Sequence, residues 1–385
     1  MLTLKTVRGA IVYIAYLACA TLFVLLALEA ILRVGFGRPD GRFRISPLDG
    51  KTLYFPGSTI RMYTGPIPYT VTTNSLGFRG PEIAVEKPAG VTRIVALGDS
   101  VTDGFYVDNA DTFPVRLEGM LRGAGHNVEV INTARGDSSI DLEATLFKRL
   151  AEPLDPDIVL LTFVTNDIDA IRGAPREDLI REAPRAEEPG VGSGALLAAT
   201  TALGELVLDM SLRSRFENYR GFERSRAAGG GDTRYAIPGG DNIAENLRIF
   251  REKHCKRTDS ILLYETFDAG QRETVENYLF ALEHFRDYCR ERGIRLGLLY
   301  CPGYNQVHDP ASSLLLRDLI EAGCAARGIP FHDMTPRFRE AARIQPIDLA
   351  PVDYHPTPYG NEVIAGEAAR FLETQFLTAA GPAPE

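Results

Sequence analysis

The sequence contains no Cys-x-x-Cys pair, no cysteine and histidine set at zinc spacing, and no Gly-x-Gly-x-x-Gly fingerprint beside its first strand-like run. These absences set aside a dithiol redox site, a zinc centre and a dinucleotide-binding loop, so neither a metal nor a cofactor is expected. Positive charge is in deficit: 42 Lys and Arg face 51 Asp and Glu, a formal charge of −9, and the arginine clusters are interleaved with acids. That balance offers no footprint for nucleic acid. Cysteine is sparse, at positions 19, 255, 289, 301 and 324. Cys19 lies in an apolar run and the other four are expected as buried thiols, although an even number would permit two disulfides in an oxidising compartment. No long low-complexity tract interrupts the 385 residues, of which 45% are apolar, enough to bury the core of one enlarged domain.

What the chain has instead is the turn GDSVTDG at 98–104, directly after the apolar run 94–97. A strand that ends in Gly-Asp-Ser and runs into a helix presents a hydroxyl, and a row of free backbone N–H groups, at the carboxyl edge of a sheet. Open α/β folds place their ligands at that edge. Two companions lie downstream: Thr165-Asn166-Asp167, closing the apolar run 157–163, and Asp353-Tyr354-His355-Pro356 near the C-terminus. Each has an ordinary structural reading on its own, as helix cap, turn or structural histidine. Together they are a hydroxyl, an amide donor and a carboxylate–histidine pair, the parts of an acyl-transfer site. Ser100 is the expected nucleophile, His355 its base, and Asp353 the group that orients the imidazole, with Asp348 the other acid of that loop. Asp99 and Asp167 are read as acceptors that fix loops. Asp103, Asp137 and His332 are read as surface or capping residues, and His308 as a pocket residue without a partner.

Strand-like runs at 94–97, 128–132 and 157–163 alternate with helical patterns near 112–122 and 140–150. The alternation resumes with a helix near 272–292, a strand at 295–300, a helix at 312–327, a strand at 329–332 and a helix at 358–374. Such order predicts an α/β domain with a parallel sheet. Residues 35–68, rich in Gly, Pro and Arg, read as a connector lying on the domain surface, followed by an edge strand at 69–73 and a turn at 74–77. Between about 170 and 258 the pattern breaks for an insertion, in which 192–212 reads as an amphipathic helix over the site or against a membrane.

The chain resembles the SGNH/GDSL hydrolases, and within them the bacterial members with an N-terminal membrane anchor. The resemblance is carried by NSLGFRG (74–80), RIVALGDSVTDGFYVDNADTFPVRLE (93–118), VEVINTARGDSS (128–139), PDIVLLTFVTND (156–167) and DYHPTPYGNEVIAGEAARFL (353–372). It implies a flavodoxin-like doubly wound parallel sheet, to which this chain adds an N-terminal transmembrane helix and a helical insertion. It also implies serine esterase chemistry at Ser100, Gly136, Asn166 and His355, with the N–H groups of Ser100 and Gly136 and the Asn166 amide as the oxyanion hole. Two positions depart from the family pattern: Val164 stands where a glycine is common, and one residue rather than two separates Asp353 from His355. The implied substrate is an ester, first of all O-acetyl on a cell-envelope or exported glycan, and acyl transfer to another hydroxyl would use the same residues. The rival readings are a lipid or lysophospholipid esterase, a non-catalytic SGNH-like carbohydrate-binding or assembly module, and a nucleotide-binding domain whose GDS turn cradles phosphate.

Residues 10–32 hold one charge, Glu29, and as a helix would span about 34 Å, enough to cross a bilayer core. No small-x-small cleavage site closes the run, so it reads as a retained signal anchor. Lys5 and Arg8 flank one side, and Arg33, Arg38, Arg42 and Arg44 the other; counting alone favours a cytoplasmic domain. The resemblance implies the opposite, a single pass in the bacterial inner membrane with a periplasmic domain, and that is the expectation taken. The expected parts are an anchor at 1–34, a connector and edge strand at 35–92, a hydrolase-like domain at 93–376 and a tail at 377–385.

Overall fold

The computed structural model describes residues 4–36, 43–45, 52–54, 56–62, 67–181, 234–235, 237, 240–255 and 266–377. Two antiparallel pairs come first, β1 (Phe43–Ile45) with β2 (Thr52–Tyr54) and β3 (Thr59–Met62) with β4 (Tyr69–Thr72). A parallel sheet follows, built from β5 (Thr92–Gly98), β6 (Val128–Asn132), β7 (Ile158–Phe163), β8 (Arg295–Tyr300) and β9 (Phe331–Asp333), in the order β6-β5-β7-β8-β9. The chain leaves β5 for one neighbour and then crosses back to the other, so the loops after β5 and β7 diverge. Their carboxyl ends form the switch point at which doubly wound folds bind ligands.

The strands were legible because both faces are covered, which makes them continuous apolar runs. Ile94, Val95, Ala96 and Leu97 are all fully buried. Side chains alternate along a strand, so Val95, Leu97, Val159 and Leu161 enter one core layer, while Ile94, Ala96, Ile158 and Leu160 enter the other. The helices in chain order are α1 (Leu4–Phe36), α2 (Ser100–Asp103), α3 (Phe113–Gly123), α4 (Ile140–Leu146), α5 (Asn166–Ala170), α6 (Ile243–Cys255), α7 (Ala269–Glu291), α8 (Tyr304–His308), α9 (Leu315–Ala326), α10 (Thr335–Ala341) and α11 (Pro358–Gln375). Residues of α4, α7 and α9 pack on the first face, and residues of α3, α10 and α11 on the second. In α7, Val275, Tyr278, Leu279, Leu282, Phe285 and Cys289 repeat at three- and four-residue spacing and supply the largest share of its buried face.

Several expectations need correction. The helix expected at 140–150 is α4 followed by a π-helical turn at Phe147–Ala151. The stretch 35–68 is more than a connector, since β1, β2 and β3 all lie within it. Ile60, Tyr69 and Val71 form a small core with Tyr54, Met62 and Tyr106, so this pair of strands walls the loop after β5. The helix expected at 192–212 lies outside the described residues. Cys289, Cys301 and Cys324 are buried free thiols, as expected; the side chain of Cys255 lies outside the described residues. Within α1, Val12–Ile31 has a mean hydropathy of 2.3 and is the one helix among the described residues long and apolar enough to cross a membrane.

Candidate active site

The first residue of the site to be fixed is Gly98, the last of β5. Its φ of +149° suits glycine, and a Cβ there would meet the Thr102 hydroxyl at 2.4 Å and the Thr162 carbonyl at 3.1 Å. The chain then turns at once into α2. Asp99 caps that helix by accepting the Val101 N–H at 3.0 Å, and its other oxygen accepts the Asn166 side-chain amide at 3.0 Å and lies 3.3 Å from the Ser100 hydroxyl. One buried carboxylate therefore ties the loop after β5 to the loop after β7. The expected loop-fixing roles of Asp99 and of Asp167, which accepts the Val164 N–H at 3.0 Å, agree with these contacts. Val164 itself is buried in the second core layer, so the absent glycine is replaced by packing.

His355 sits on the loop before α11, with its Nε2 2.8 Å from Ser100 Oγ and its Nδ1 2.5 Å from Asp353 Oδ1. The shortened spacing between Asp353 and His355 has a local explanation. The same carboxylate oxygen accepts the backbone N–H groups of Tyr354 at 2.7 Å and His355 at 3.1 Å, so a tight side-chain-capped turn brings it back onto the imidazole. Burial pushes the Asp353 carboxyl up, but the hydrogen bond from His355, the charge of that ring and the two N–H groups outweigh it and hold the pKa below its ordinary value. Asp348 is engaged elsewhere: it lies 3.0 Å from Nε2 of His308. His308 therefore has the partner that sequence reading did not find, and the pair braces the loop from beneath through the bridge of Asp348 with Pro356.

Gly136 has a negative φ, so positive-φ freedom is not its purpose. It is required by packing, because a Cβ would stand 2.4 Å from the Phe105 ring. That ring stacks on His355 at 5.5 Å between centroids, and Tyr106 meets the imidazole edge-on at 5.2 Å. Asp103, expected at the surface, is buried; it accepts the Tyr54 hydroxyl at 3.0 Å and pairs with Arg79 at 3.7 Å. Burial raises its pKa to about 6 against the lowering effects of Arg79, Tyr54 and Gly136. His332 is likewise not a plain surface residue, since its Nε2 lies 2.9 Å from Glu367.

Sequence reading also missed Glu143, whose signal was only its place in the first turn of α4. It is fully buried, with Ser138 Oγ at 3.1 Å from Oε1. Burial, then the charges of Asp99 and Asp141, raises its pKa to about 8 despite the Ser138 hydrogen bond. Asp167 is raised as well, by burial and by the charges of Glu143 and Asp99. The loops bearing Ser100 and Asn166 thus rest on two buried carboxyls, Glu143 and Asp167, whose ionisation is opposed by burial and by the charges of neighbouring acids.

Residues 96–363 match the family model of the GDSL-like lipase/acylhydrolases, and the chain belongs to that family. It is an ester-bond hydrolase of the SGNH/GDSL type. No curated protein matches it in sequence. Among solved structures it is similar to an alpha/beta hydrolase enzyme from the metagenome of Lake Arreo, Spain, at 14% identity over 73% of this chain and 94% of that one, TM-score 0.40. It is also similar to an acetylxylan esterase from Geobacillus stearothermophilus, at 12% identity over 73% and 94%, TM-score 0.40.

Glu143 keeps its proton to about pH 8 in the fold, against an ordinary value of 4.5. Between those values the native state binds more protons than the unfolded chain, so stability falls as pH rises through the window. Denaturant unfolding at pH 5 and pH 8 should show the parent protein losing on the order of a few kcal/mol more than Glu143→Gln. Parallel pH dependences would mean that Glu143 ionises as it does in solution.

Proposed function

We propose that the protein is a membrane-tethered serine esterase that removes acetyl groups from, or moves them between, hydroxyls of a cell-envelope or exported glycan. The observation that carries the catalytic part is the file Ser100 Oγ, His355 Nε2, His355 Nδ1 and Asp353 Oδ1, with separations of 2.8 and 2.5 Å. In this reading His355 accepts the Ser100 proton as Oγ bonds to the ester carbon. The oxygen that becomes negative is met by the N–H of Ser100, the second N–H of the Asn166 amide and the N–H of Gly136. Asp353 stabilises the imidazolium, which returns the proton to the departing alcohol oxygen. The acyl group is then on Ser100. Water, or a second hydroxyl, gives its proton to His355 and attacks the acyl carbon, and Ser100 recovers the proton as acetate or a new ester leaves.

A small acyl group is favoured by the aromatic wall. Phe105 covers Gly136 and stacks on His355, while Tyr106, whose carbonyl accepts the Tyr235 hydroxyl at 3.0 Å, closes the edge of the imidazole. The envelope assignment rests on the apolar length of α1.

Full-length protein in detergent should hydrolyse p-nitrophenyl acetate. Ser100→Ala and His355→Ala should each lose at least about 10³-fold in rate, with the double variant little worse, because such groups act as a unit. Asp353→Ala should lose less, and all should unfold within about 1 kcal/mol of the parent. Undiminished turnover by Ser100→Ala would remove the serine from the mechanism. The wall makes a separate claim: Phe105→Ala should raise the octanoate-to-acetate rate ratio about tenfold, whereas a parent that already prefers octanoate would make lipid esters the substrate. For topology, a reporter active only outside the cytoplasm and fused after Glu385 should be active; an inactive but intact fusion would place the domain at the inner leaflet and let the arginines at 33–44 decide.

A further inference from the structure

A pocket of about 420 Å³ lies on the carboxyl side of the sheet beyond β9, lined in part by Arg317, Asp333, Thr335, Arg339 and Arg343. It stands on the same edge as Ser100 but at the far end of the strand order, outside the catalytic residues. Its charges are unevenly matched. Arg317 is met by Asp318 at 2.9 Å, Glu321 at 3.1 Å and Asp333 at 3.7 Å, and the remaining acid of the rim, Glu340, pairs with Arg337 at 3.2 Å. Among the described residues Arg339 meets only a neutral partner, donating from Nε to the Gln306 carbonyl at 2.9 Å.

Three donors on residues that line this space lack acceptors. Arg339 Nη2, Arg317 Nε and the Thr335 hydroxyl are all buried without a hydrogen-bond partner among the described residues, and Thr335 as a whole is only 2% exposed. Buried donors are ordinarily paired, and three in one depression need an acceptor from elsewhere. Two are guanidinium N–H groups, which bond best to a group that accepts at several oxygens and carries negative charge. A neutral hydroxyl would satisfy one of them and bring a donor of its own. Arg343, one helical turn beyond Arg339, stands exposed at the rim and would meet an entering anion first.

We propose that this pocket binds an oxyanion of the carboxylate or phosphate class, held by Arg339 and Arg317 on its oxygens, with the Thr335 hydroxyl donating to a third. The anion comes either from an acidic sugar unit of a glycan or from free phosphate. The site does not depend on the proposed esterase reaction, and its test is made on full-length Ser100→Ala protein so that the two stand or fall separately.

Calorimetric titration in detergent with inorganic phosphate, and separately with sodium glucuronate, should show saturable binding of at least one. Tighter binding of glucuronate identifies the sugar source, and tighter binding of phosphate the free ion. Adding Arg339→Gln should weaken that binding at least about tenfold, and adding the rim change Arg343→Gln should weaken it while leaving the melting temperature unchanged. In the otherwise native chain, Arg343→Gln should leave p-nitrophenyl acetate hydrolysis as it was. Absence of binding by both anions, or equal binding by parent and both arginine variants, would overturn the site.

Discussion

The loop that follows Ser100 is held in place by a buried cation. Arg79, 3% exposed, donates from Nη1 to the carbonyls of Asp103 at 2.8 Å and Gly104 at 2.7 Å, from Nη2 to that of Val107 at 2.5 Å, and from Nε to the Asn109 side chain at 2.9 Å. A guanidinium taken out of water is stable only if its donors find acceptors. Here the acceptors are main-chain carbonyls of a turn that has left the helix at Gly104, where φ is +88°. Each side solves the other's problem. The position of Phe105 and Tyr106 against His355 follows from it.

The same economy explains why strands well upstream of Ser100 matter to the site. Asp108 accepts the Thr70 N–H at 2.7 Å and pairs with Arg234 at 2.7 Å, and Asn109 exchanges hydrogen bonds with the main chain of Thr72. Tyr54 reaches Asp103 from the β1–β2 pair. Segments upstream of the sheet and within the insertion therefore converge on residues 103–109, just after Ser100. On the other side, Phe250 of α6 meets Tyr354 edge-on at 4.8 Å, so the far end of the insertion touches the histidine loop as well.

Much of the frame was readable in advance. Strands β6 and β8 fall residue for residue where they were expected, at 128–132 and 295–300. The long helices α7 and α11 were found from their three- and four-residue spacing. Helices α5, α8 and α10 were not, since one or two turns carry no period to detect. Strands β1 to β3 were missed because three or four residues among Gly and Pro give too little alternation, and their pairing is set by partners rather than by propensity. Within the site, Ser100, Asn166, Asp353 and His355 were chosen for their chemistry at strand ends, and the fold brings all four together.

The residues read wrongly or missed share a feature, which is that their state depends on burial. Asp103, Glu143 and His308 look on paper like any acid or imidazole in a polar stretch, and only the layers packed over them make Asp103 an acceptor for Tyr54, Glu143 a proton holder and His308 the partner of Asp348. The order of strands and helices and the residue types at their carboxyl ends are written in the chain, because apolar period and backbone turn chemistry act over a few neighbours. The 2.8 Å approach of Ser100 and His355, the aromatic wall and the charge state of the carboxyls beneath them were decided by the tertiary structure. Desolvation and contacts between residues as much as 255 positions apart act only once the sheet has closed over them.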